Sequence, residues 1–215
     1  MGHKVHPKGF RLGIIYNWSS RWFFSNKKKY QETLITDLKI RDFFLKKFSY
    51  AAVTQVDIER TINRITLIIH SVKPGIIIGQ GGKGLEEVKK LLLEMLKKEN
   101  EEEKKQVKID IKIEPEKKPY LNAYYVATSI AEKIKRNFRH RAVVHNTIDR
   151  VMEAGAKGIK IQLGGRIAGV EISRREKYFK GVVSTSTIRE DIDYASVPSL
   201  TRSGYVGIKV WISKK

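Results

Sequence analysis

In the stretch Val72-Lys-Pro-Gly-Ile-Ile-Ile-Gly-Gln-Gly-Gly-Lys-Gly-Leu85, four glycines lie between an apolar run and the start of a regular helical pattern. From Leu85 onward, apolar residues recur at the spacing of one helical face, at Val88, Leu92 and Met95 or Leu96. The glycines therefore open a helix. Residues without side chains let a backbone approach a ligand closely, and the free N–H groups at a helix start attract phosphate. The stretch predicts a loop that binds nucleic acid.

The segment Gly79-Gln-Gly-Gly82 fits the Gly-x-x-Gly loop of a KH domain, which clamps the backbone of a single strand. A lysine on either side adds positive charge beside the loop. The residues predicted to bind RNA here are Lys73, Gly79, Gln80, Gly81, Gly82 and Lys83.

Other interpretations of the same glycines compete. Gly79, Gly81 and Gly84 spell the Gly-x-Gly-x-x-Gly of a dinucleotide-binding turn, which would make the chain an enzyme. That turn needs a strand in front of it, and Pro74 leaves little room for one. A P-loop would carry Ser or Thr after its lysine, where this chain has Gly84. The glycines could also start a helix without binding anything.

Composition narrows the class of partner. The chain has 215 residues, of which 41% are hydrophobic, enough for one large or two small packed domains. Its 43 Lys and Arg against 23 Asp and Glu give a net charge of +20, which predicts a polyanionic partner, best met by nucleic acid. A membrane surface is a poorer candidate because the charge is spread over every segment. Without cysteine there is no thiolate zinc site, and we expect no metal, cofactor or small-molecule substrate.

Residues 1–30 carry the most uniform positive charge in the chain, with seven Lys or Arg and no acidic residue. We interpret them as a basic N-terminal arm that contacts RNA phosphates. The residues assigned to this contact are Lys4, Lys8, Arg11, Lys27, Lys28 and Lys29. Aromatic residues are interleaved with these cations, and we favour their packing on the protein over stacking on bases.

Residues 31–115 are expected to form an α+β domain of the type II KH arrangement: helix, two strands, the glycine-loop helices and a last strand. The first helix has its apolar stripe at Leu34, Leu38, Leu45 and Phe48. Alternating apolar residues predict a hairpin that turns near Thr61, and a third strand through Ile109, Ile111 and Ile113. Prolines bracket a linker at residues 116–119.

Residues 120–215 are expected to form a second α+β domain, with two helices packed on a mostly antiparallel sheet. The helices break near Arg139, and Gly155 ends the second one. A strand through Ile159, Ile161 and Leu163 turns back into a return strand that carries Val170 and Ile172. Residues 182–193 and 205–212 supply two or three more strands.

Two basic groups in this second half are candidates for RNA contact, against the alternative of ordinary solvated charge. The first, at the junction of the two helices, is Lys135, Arg136, Arg139 and Arg141. The second, on the hairpin, is Arg166, Arg174, Arg175 and Lys177. Asp191 and Asp193 are paired carboxylates on one expected strand, but no His or phosphate loop accompanies them. We interpret them as ion-pair partners of Arg189 or Lys209, not as catalysts.

Five motifs, in order along nearly the whole chain, resemble those of small-subunit ribosomal protein number three, the KH-domain protein of the subunit head, in its bacterial or organellar form. They are residues 1–13 (MGHKVHPKGFRLG), 74–79 (PGIIIG), 155–160 (GAKGIK) with Gly165-Arg166, 189–194 (REDIDY) and 207–212 (GIKVWI). The resemblance implies a structural, non-enzymatic protein that binds small-subunit rRNA beside the proteins numbered ten and fourteen. Its location would be the ribosome, in the cytoplasm or in an organelle. The alternative is a free KH-domain regulator that binds RNA outside the ribosome.

The resemblance further implies that the chain, together with proteins four and five, lines the channel through which mRNA enters and helps to unwind mRNA. The family's basic track on the second C-terminal helix would fall on Arg141, Ala142 and His145, so one arginine survives in place. We therefore expect Arg139 and Arg141 to share that role. The KH loop also departs from the family, with Gln80 and Gly81 where lysines are common.

Overall fold

The computed structural model describes residues 5–61, 64–99 and 108–214. The chain divides into two compact units, Trp18–Lys117 and a unit that joins Met1–Asn17 to Lys118–Lys215. We call them the KH unit and the C-terminal unit. The expected single arm at residues 1–30 is thus divided, because its first part packs with strands from the far end of the chain. Among the described helices, none combines the length and apolar character that a membrane crossing needs.

The KH unit contains four strands and three helices among its described residues. They are β1 (Ser20–Arg21), α2 (Lys27–Lys47), β2 (Val53–Thr61), β3 (Arg64–Ser71), α3 (Pro74–Ile78), α4 (Lys83–Glu99) and β4 (Lys108–Pro115). The sheet has the order β1-β2-β3-β4, with β2 and β3 antiparallel and β4 parallel to β3. The predicted hairpin and third strand are confirmed. The sheet has four strands instead of three, because Ser20 and Arg21 pair with Ile58 and Glu59.

Helix α2 differs from its prediction in both its start and its buried face. Asn26 caps it, its side chain accepting a hydrogen bond from the Lys28 N–H at 3.0 Å, so the helix begins at Lys27. Its buried residues are Thr36, Asp37, Ile40 and Phe44, whereas the predicted Leu34 and Leu38 are 38% and 53% exposed. The Asp37 carboxylate sets this rotation, because a buried charge needs partners.

Three side chains supply those partners, one of them the Ser20 hydroxyl, which donates to Asp37 Oδ2 at 3.3 Å. Trp22 Nε1 donates to Asp37 Oδ2 at 2.7 Å, and the Arg60 guanidinium contacts Asp37 Oδ1 at 2.6 Å. Hydrophobic periodicity could not have predicted this arrangement. The buried face of α2 contains Asp37 because its carboxylate binds polar partners, and Leu34 and Leu38 are left partly exposed.

The C-terminal unit packs two helices on one antiparallel sheet, as predicted. Its elements are α1 (Pro7–Phe10), α5 (Ala123–Lys135), α6 (His140–Glu153), β5 (Gly158–Gly165), β6 (Arg174–Gly181), β7 (Ile192–Thr201) and β8 (Gly204–Ser213). The strand order is β6-β5-β8-β7, and every pair is antiparallel. The break at Arg139 and the end at Gly155 are confirmed. Gly155 has φ +95, and the next N–H closes the helix by donating from Ala156 to the Val151 carbonyl at 3.3 Å.

Two details of this unit correct the sequence analysis. The return strand is β6 and begins at Arg174, while Val170 and Ile172 precede it and are 39% and 80% exposed. No strand covers residues 182–191, which form turns before β7 begins at Ile192. Both errors arose from apolar residues that do not enter the core.

Candidate nucleic-acid interface

The predicted KH loop is a tight turn between α3 and α4. Gly79 has φ 69 and ψ 179, a conformation essentially restricted to glycine, and Gly81 and Gly82 have φ 60 and φ 80. Gln80, Gly81 and the two flanking lysines, Lys73 and Lys83, are exposed. Gly79, Gln80, Gly81, Gly82 and Lys83 thus form the turn itself, and Lys73 lies at the other end of α3.

The glycines of this loop serve two separate purposes. A Cβ on Gly84 would lie 2.7 Å from the Ile77 carbonyl oxygen, and one on Gly79 would lie 3.0 Å from the Gly84 nitrogen, so these two glycines let α3 and α4 approach closely. A Cβ on Gly81 or Gly82 would meet nothing within 4 Å. That second pair leaves open space above the backbone, the space an RNA backbone would occupy.

The dinucleotide-binding interpretation fails on geometry. The residues in front of the glycines form helix α3, whose N-terminal residue is Pro74, and strand β3 has already ended at Ser71. A dinucleotide turn requires the strand to run directly into the glycines.

The basic group at the helix junction lines a groove in the C-terminal unit. The groove has a volume of about 890 Å³ and lies among the α5–α6 link, the turn after β5 and the β7–β8 turn. Of the residues that the structure describes, six lining residues are cationic and none is acidic. These six, here named the basic groove, are Lys135, Arg136, Arg139, Arg141, Arg166 and Arg202. Such a surface concentrates positive potential and favours an anionic ligand.

Helix α6 starts in this groove. Arg139 is its N-cap residue and makes no side-chain capping hydrogen bond, so the first-turn N–H groups lack the usual cap. His140, Arg141 and Ala142 supply those groups and line the groove. The partial positive charge of a helix N-terminus adds to the arginines. Ala142, which carries no charge, contributes a backbone N–H and a small side chain to this lining.

A small ionic cluster under the groove holds His140. Its Nε2 lies 3.0 Å from Glu176 Oε2, while Arg174 Nε lies 2.9 Å from Glu176 Oε1. Burial raises the pKa of Glu176, but the Tyr178 hydroxyl, which donates at 2.6 Å, and the electrostatic effect of His140, Arg174 and Arg141 outweigh burial and lower that pKa below its usual value. The carboxylate is therefore charged at neutral pH and anchors the start of α6.

The structure separates the remaining predicted cations. His145 lies on α6 outside the groove lining, with its ring edge-on to Tyr178 at 5.7 Å. Of the hairpin group, Arg166 lines the groove and Arg174 pairs with Glu176, whereas Arg175 and Lys177 point to the other face of β6.

Arg11 is the clearest correction among the predicted RNA contacts. Its side chain is 0% exposed, and its guanidinium donates to four carbonyl oxygens. These belong to Pro7 at 3.1 Å, Thr185 at 3.1 Å, Thr187 at 2.7 Å and Glu190 at 2.7 Å. No donor is turned toward solvent, so Arg11 fixes the N-terminal segment in place and does not reach a phosphate.

Lys8 and Tyr16 also attach the N-terminal segment, through Asp193 and Asp191. Lys8 Nζ lies 2.8 Å from Asp193 Oδ1, and the Ala123 N–H donates to Asp193 Oδ2 at 2.8 Å. Tyr16 donates its hydroxyl to Asp191, and burial together with that hydrogen bond raises the pKa of Tyr16 far above its usual value. The carboxylates therefore pair with the N-terminal segment, not with Arg189 or Lys209 as predicted.

The other arm residues fall elsewhere. Lys27, Lys28 and Lys29 form the exposed first turn of α2 in the KH unit, and Lys4 lies outside the described residues. Arg202 is the one basic-groove residue that sequence reasoning missed. Its neighbours Ser203 and Gly204 mark a turn between strands, but only the tertiary structure brings that turn beside the α5–α6 link.

An α+β unit with an open Gly-x-x-Gly loop, followed by a second α+β unit with a basic groove, defines a KH-domain RNA-binding protein. Comparison with known families agrees. A family model for the KH domain matches residues 39–119, and one described as Ribosomal protein S3, C-terminal domain, matches residues 130–212.

Whole-chain relatives make the assignment specific. The small ribosomal subunit protein uS3 of Clostridium novyi is 40% identical over 214 residues, covering 100% of this chain and 93% of the relative. Those of Carboxydothermus hydrogenoformans and Lactobacillus helveticus are 42% and 43% identical, again over all of this chain and over 92% and 91% of the relative. The chain belongs to the ribosomal protein S3 family and is a structural, non-enzymatic constituent of the small ribosomal subunit.

Proposed function

We propose that the chain binds small-subunit rRNA and, through the basic groove, holds mRNA where it enters the subunit and helps to open mRNA helices. The observation that supports the second part is the groove itself, with six cations and no acidic lining residue among those described, at an uncapped helix start. Arginine side chains and first-turn N–H groups bind phosphate oxygens whatever the base sequence. Such contacts suit a surface that must bind mRNAs of any sequence.

The proposal includes four neighbouring proteins. We propose that the chain packs beside the proteins numbered ten and fourteen in the subunit head and acts with four and five where mRNA enters. The ribosome of the cytoplasm is the proposed location. Family membership favours this role over a free KH-domain regulator. Purified small subunits washed at high salt separate the two, because a constituent stays bound and a regulator is released.

The proposed mRNA contact is tested with Arg139→Ala/Arg141→Ala in reconstituted ribosomes. Loss of two phosphate contacts should slow translation through a stable mRNA hairpin more than translation of an unstructured message. Arg202→Ala should add to the defect, since Arg202 lines the same groove. Lys108→Ala/Lys112→Ala, two exposed cations on strand β4 of the KH unit, is the control matched for charge. Equal slowing of both messages, or none, would rule out the role in unwinding.

The proposed KH-loop contact is tested with Gln80→Asp/Gly81→Asp in the full chain. Two negative charges would stand where phosphate is proposed to lie, so affinity for single-stranded RNA should fall. Gly81 has φ 60, a conformation that Asp and Asn tolerate better than most residues, and therefore Gln80→Asn/Gly81→Asn is a matched neutral control. If both variants bind RNA like the unmodified protein while their circular dichroism is unchanged, the loop is structural only.

A further inference from the structure

The face of the C-terminal sheet opposite helices α5 and α6 carries cations and exposed rings that neither the KH loop nor the basic groove uses. Register places Lys177, Gln162 and Lys209 side by side across β6, β5 and β8. Phe179 and Tyr205 are 77% and 68% exposed. We define the sheet platform as Lys160, Arg175, Lys177, Phe179, Tyr205 and Lys209.

The sheet platform is uniformly positive. On this face, the described residues of all four strands include no Asp or Glu. The helix-free face of the KH unit's sheet provides the contrast, because there Glu59 pairs with Arg21 and Asp110 pairs with Arg64. Sheet surfaces of one protein that differ in this way are suited to different partners, and the acid-free one suits a polyanion.

Two glycines leave the middle of the platform bare. Gly164 and Gly207 lie directly opposite each other on β5 and β8, and neither has a positive φ. A Cβ on Gly164 would meet only Arg175 Cγ at 3.8 Å, and one on Gly207 only the Gly164 carbonyl oxygen at 3.7 Å. These are ordinary contact distances, so the fold does not require glycine at either position. A glycine inside a strand often marks a position where a ligand or another backbone approaches closely, and among the described residues no other backbone does so on this face.

A cleft continues the platform at one end. It has a volume of about 550 Å³ and lies between the sheet and helix α1, lined among others by Lys160, Lys209, Tyr194 and Trp211. Lys160 Nζ is 5.3 Å from the centre of the Trp211 ring. A cleft with aromatic walls and ammonium groups can take a planar base together with its phosphate.

We propose that the sheet platform binds a single-stranded segment of small-subunit rRNA, as a site separate from the KH loop and the basic groove. Bases stack on exposed rings such as Phe179, and the lysines neutralise the backbone. An acidic protein segment would use the cations but would gain nothing specific from rings exposed at both ends of the platform. Charge and aromatic exposure together therefore favour RNA.

The first test is an NMR titration of the full chain with hexauridylate in about 0.3 M salt, which suppresses purely electrostatic binding. We expect the amide signals of Gly164 and Gly207 to shift and to report an affinity of their own. Phe179→Ala/Tyr205→Ala should weaken that affinity at least 10-fold, because stacking contributes strongly per base. Phe23→Ala/Tyr50→Ala, two rings that are 79% and 84% exposed in the KH unit, should not.

The same titration separates the platform from the proposed loop contact. Gln80→Asp/Gly81→Asp should leave the Gly164 and Gly207 shifts unchanged, and Lys177→Gln/Lys209→Gln should reduce them while Lys108→Gln/Lys112→Gln does not. Failure of the two glycine signals to respond, or an unchanged affinity in the Phe179 and Tyr205 variant, overturns the proposal.

The second test uses assembled small subunits. Ultraviolet cross-linking followed by mass spectrometry should find an rRNA nucleotide attached to a peptide that contains Phe179 or Tyr205. If instead an amine-reactive reagent joins Lys177 and Lys209 to another protein, and no nucleotide is attached to the platform, the face is a protein-docking surface and the proposal is wrong.

Discussion

Arginine residues of this protein differ sharply in burial and in hydrogen-bond partners. Arg11 is buried and donates to carbonyl oxygens of four residues, whereas Arg139 and Arg141 are exposed in a groove whose described lining residues include no acidic one. A buried guanidinium that donates to carbonyl oxygens inside the protein stabilises the fold, and one directed at solvent is available to phosphate. Burial, not residue type, distinguishes the two roles.

The role of Arg11 predicts a stability effect. Arg11→Met should destabilise the C-terminal unit by about 2–4 kcal/mol, because hydrogen bonds from a charged donor contribute strongly and their buried acceptors lose their partner. Arg175→Met, at an exposed position of β6, should change stability by no more than about 0.5 kcal/mol. Urea unfolding of both variants measures the difference, and equal midpoints would contradict the anchoring role.

Glu176 predicts a dependence on pH. Its pKa is lowered in the folded protein, so the stability it contributes is present above its unfolded pKa of about 4.5 and is lost as pH falls below that value. Glu176→Gln should therefore flatten the fall in stability between about pH 5 and pH 3. Glu153→Gln, an exposed position on α6, serves as the control. Unfolding midpoints recorded at each pH would refute the assignment if the Glu176 variant kept the full acid slope.

At the scale of elements, close approach of two helices decides the shape of the KH loop. Helices α3 and α4 meet where Gly79 and Gly84 leave no side chain between their backbones. This contact turns the chain sharply enough to lift Gln80 and Gly81 into solvent. The loop is thus held in place by the packing of these two helices, and its exposed residues Gln80 and Gly81 can change without loss of the fold.

That arrangement predicts different costs for similar substitutions. Gly84→Ala should destabilise the KH unit by about 1–3 kcal/mol, because its Cβ would stand 2.7 Å from one carbonyl oxygen and 2.9 Å from the next. Gly75→Ala, in α3 with nothing within 4 Å, should be neutral or slightly stabilising. Thermal unfolding compares the pair, and a Gly84→Ala protein as stable as its control would show that the helices can separate at no cost.

At the scale of the whole molecule, one compact unit is built from two segments that are far apart in sequence. Met1–Asn17 belongs to the same compact unit as Lys118–Lys215, although the entire KH unit lies between them in sequence. Arg11, Lys8 and Tyr16 carry the attachment through partners at residues 185–193. The C-terminal unit is therefore incomplete without the first residues of the chain.

This organisation predicts complementation between separate pieces. A fragment of residues 118–215 should unfold at a lower temperature than the same unit in the full chain, and a peptide of residues 1–17 should raise that temperature in proportion to its occupancy. The peptide with Arg11→Ala should have little effect. Calorimetry of the fragment with each peptide decides the matter, and equal stabilisation by both peptides would exclude Arg11 as the anchor.

Local patterns were sufficient for much of the fold. Alternation with a period of two predicted the β2–β3 hairpin and β5, and helical spacing together with Gly155 predicted α5 and α6 and their break. These patterns depend on neighbours a few residues away, which the sequence displays directly. The glycine loop and the cations of the α5–α6 link were found for the same reason.

Only the tertiary structure decided which cationic side chains are exposed to a ligand and that the short strand β1 pairs with β2. The rotation of α2 depends on Arg60 and Trp22 meeting Asp37, and the fate of Arg11 depends on carbonyl groups about 175 positions away. Arg202 joins the basic groove, and Gly164 meets Gly207, through contacts that no sequence period encodes. The sequence by itself thus determined the elements, the basic character and the family, while desolvation and long-range pairing, which exist only once the chain is folded, determined how the charges are used.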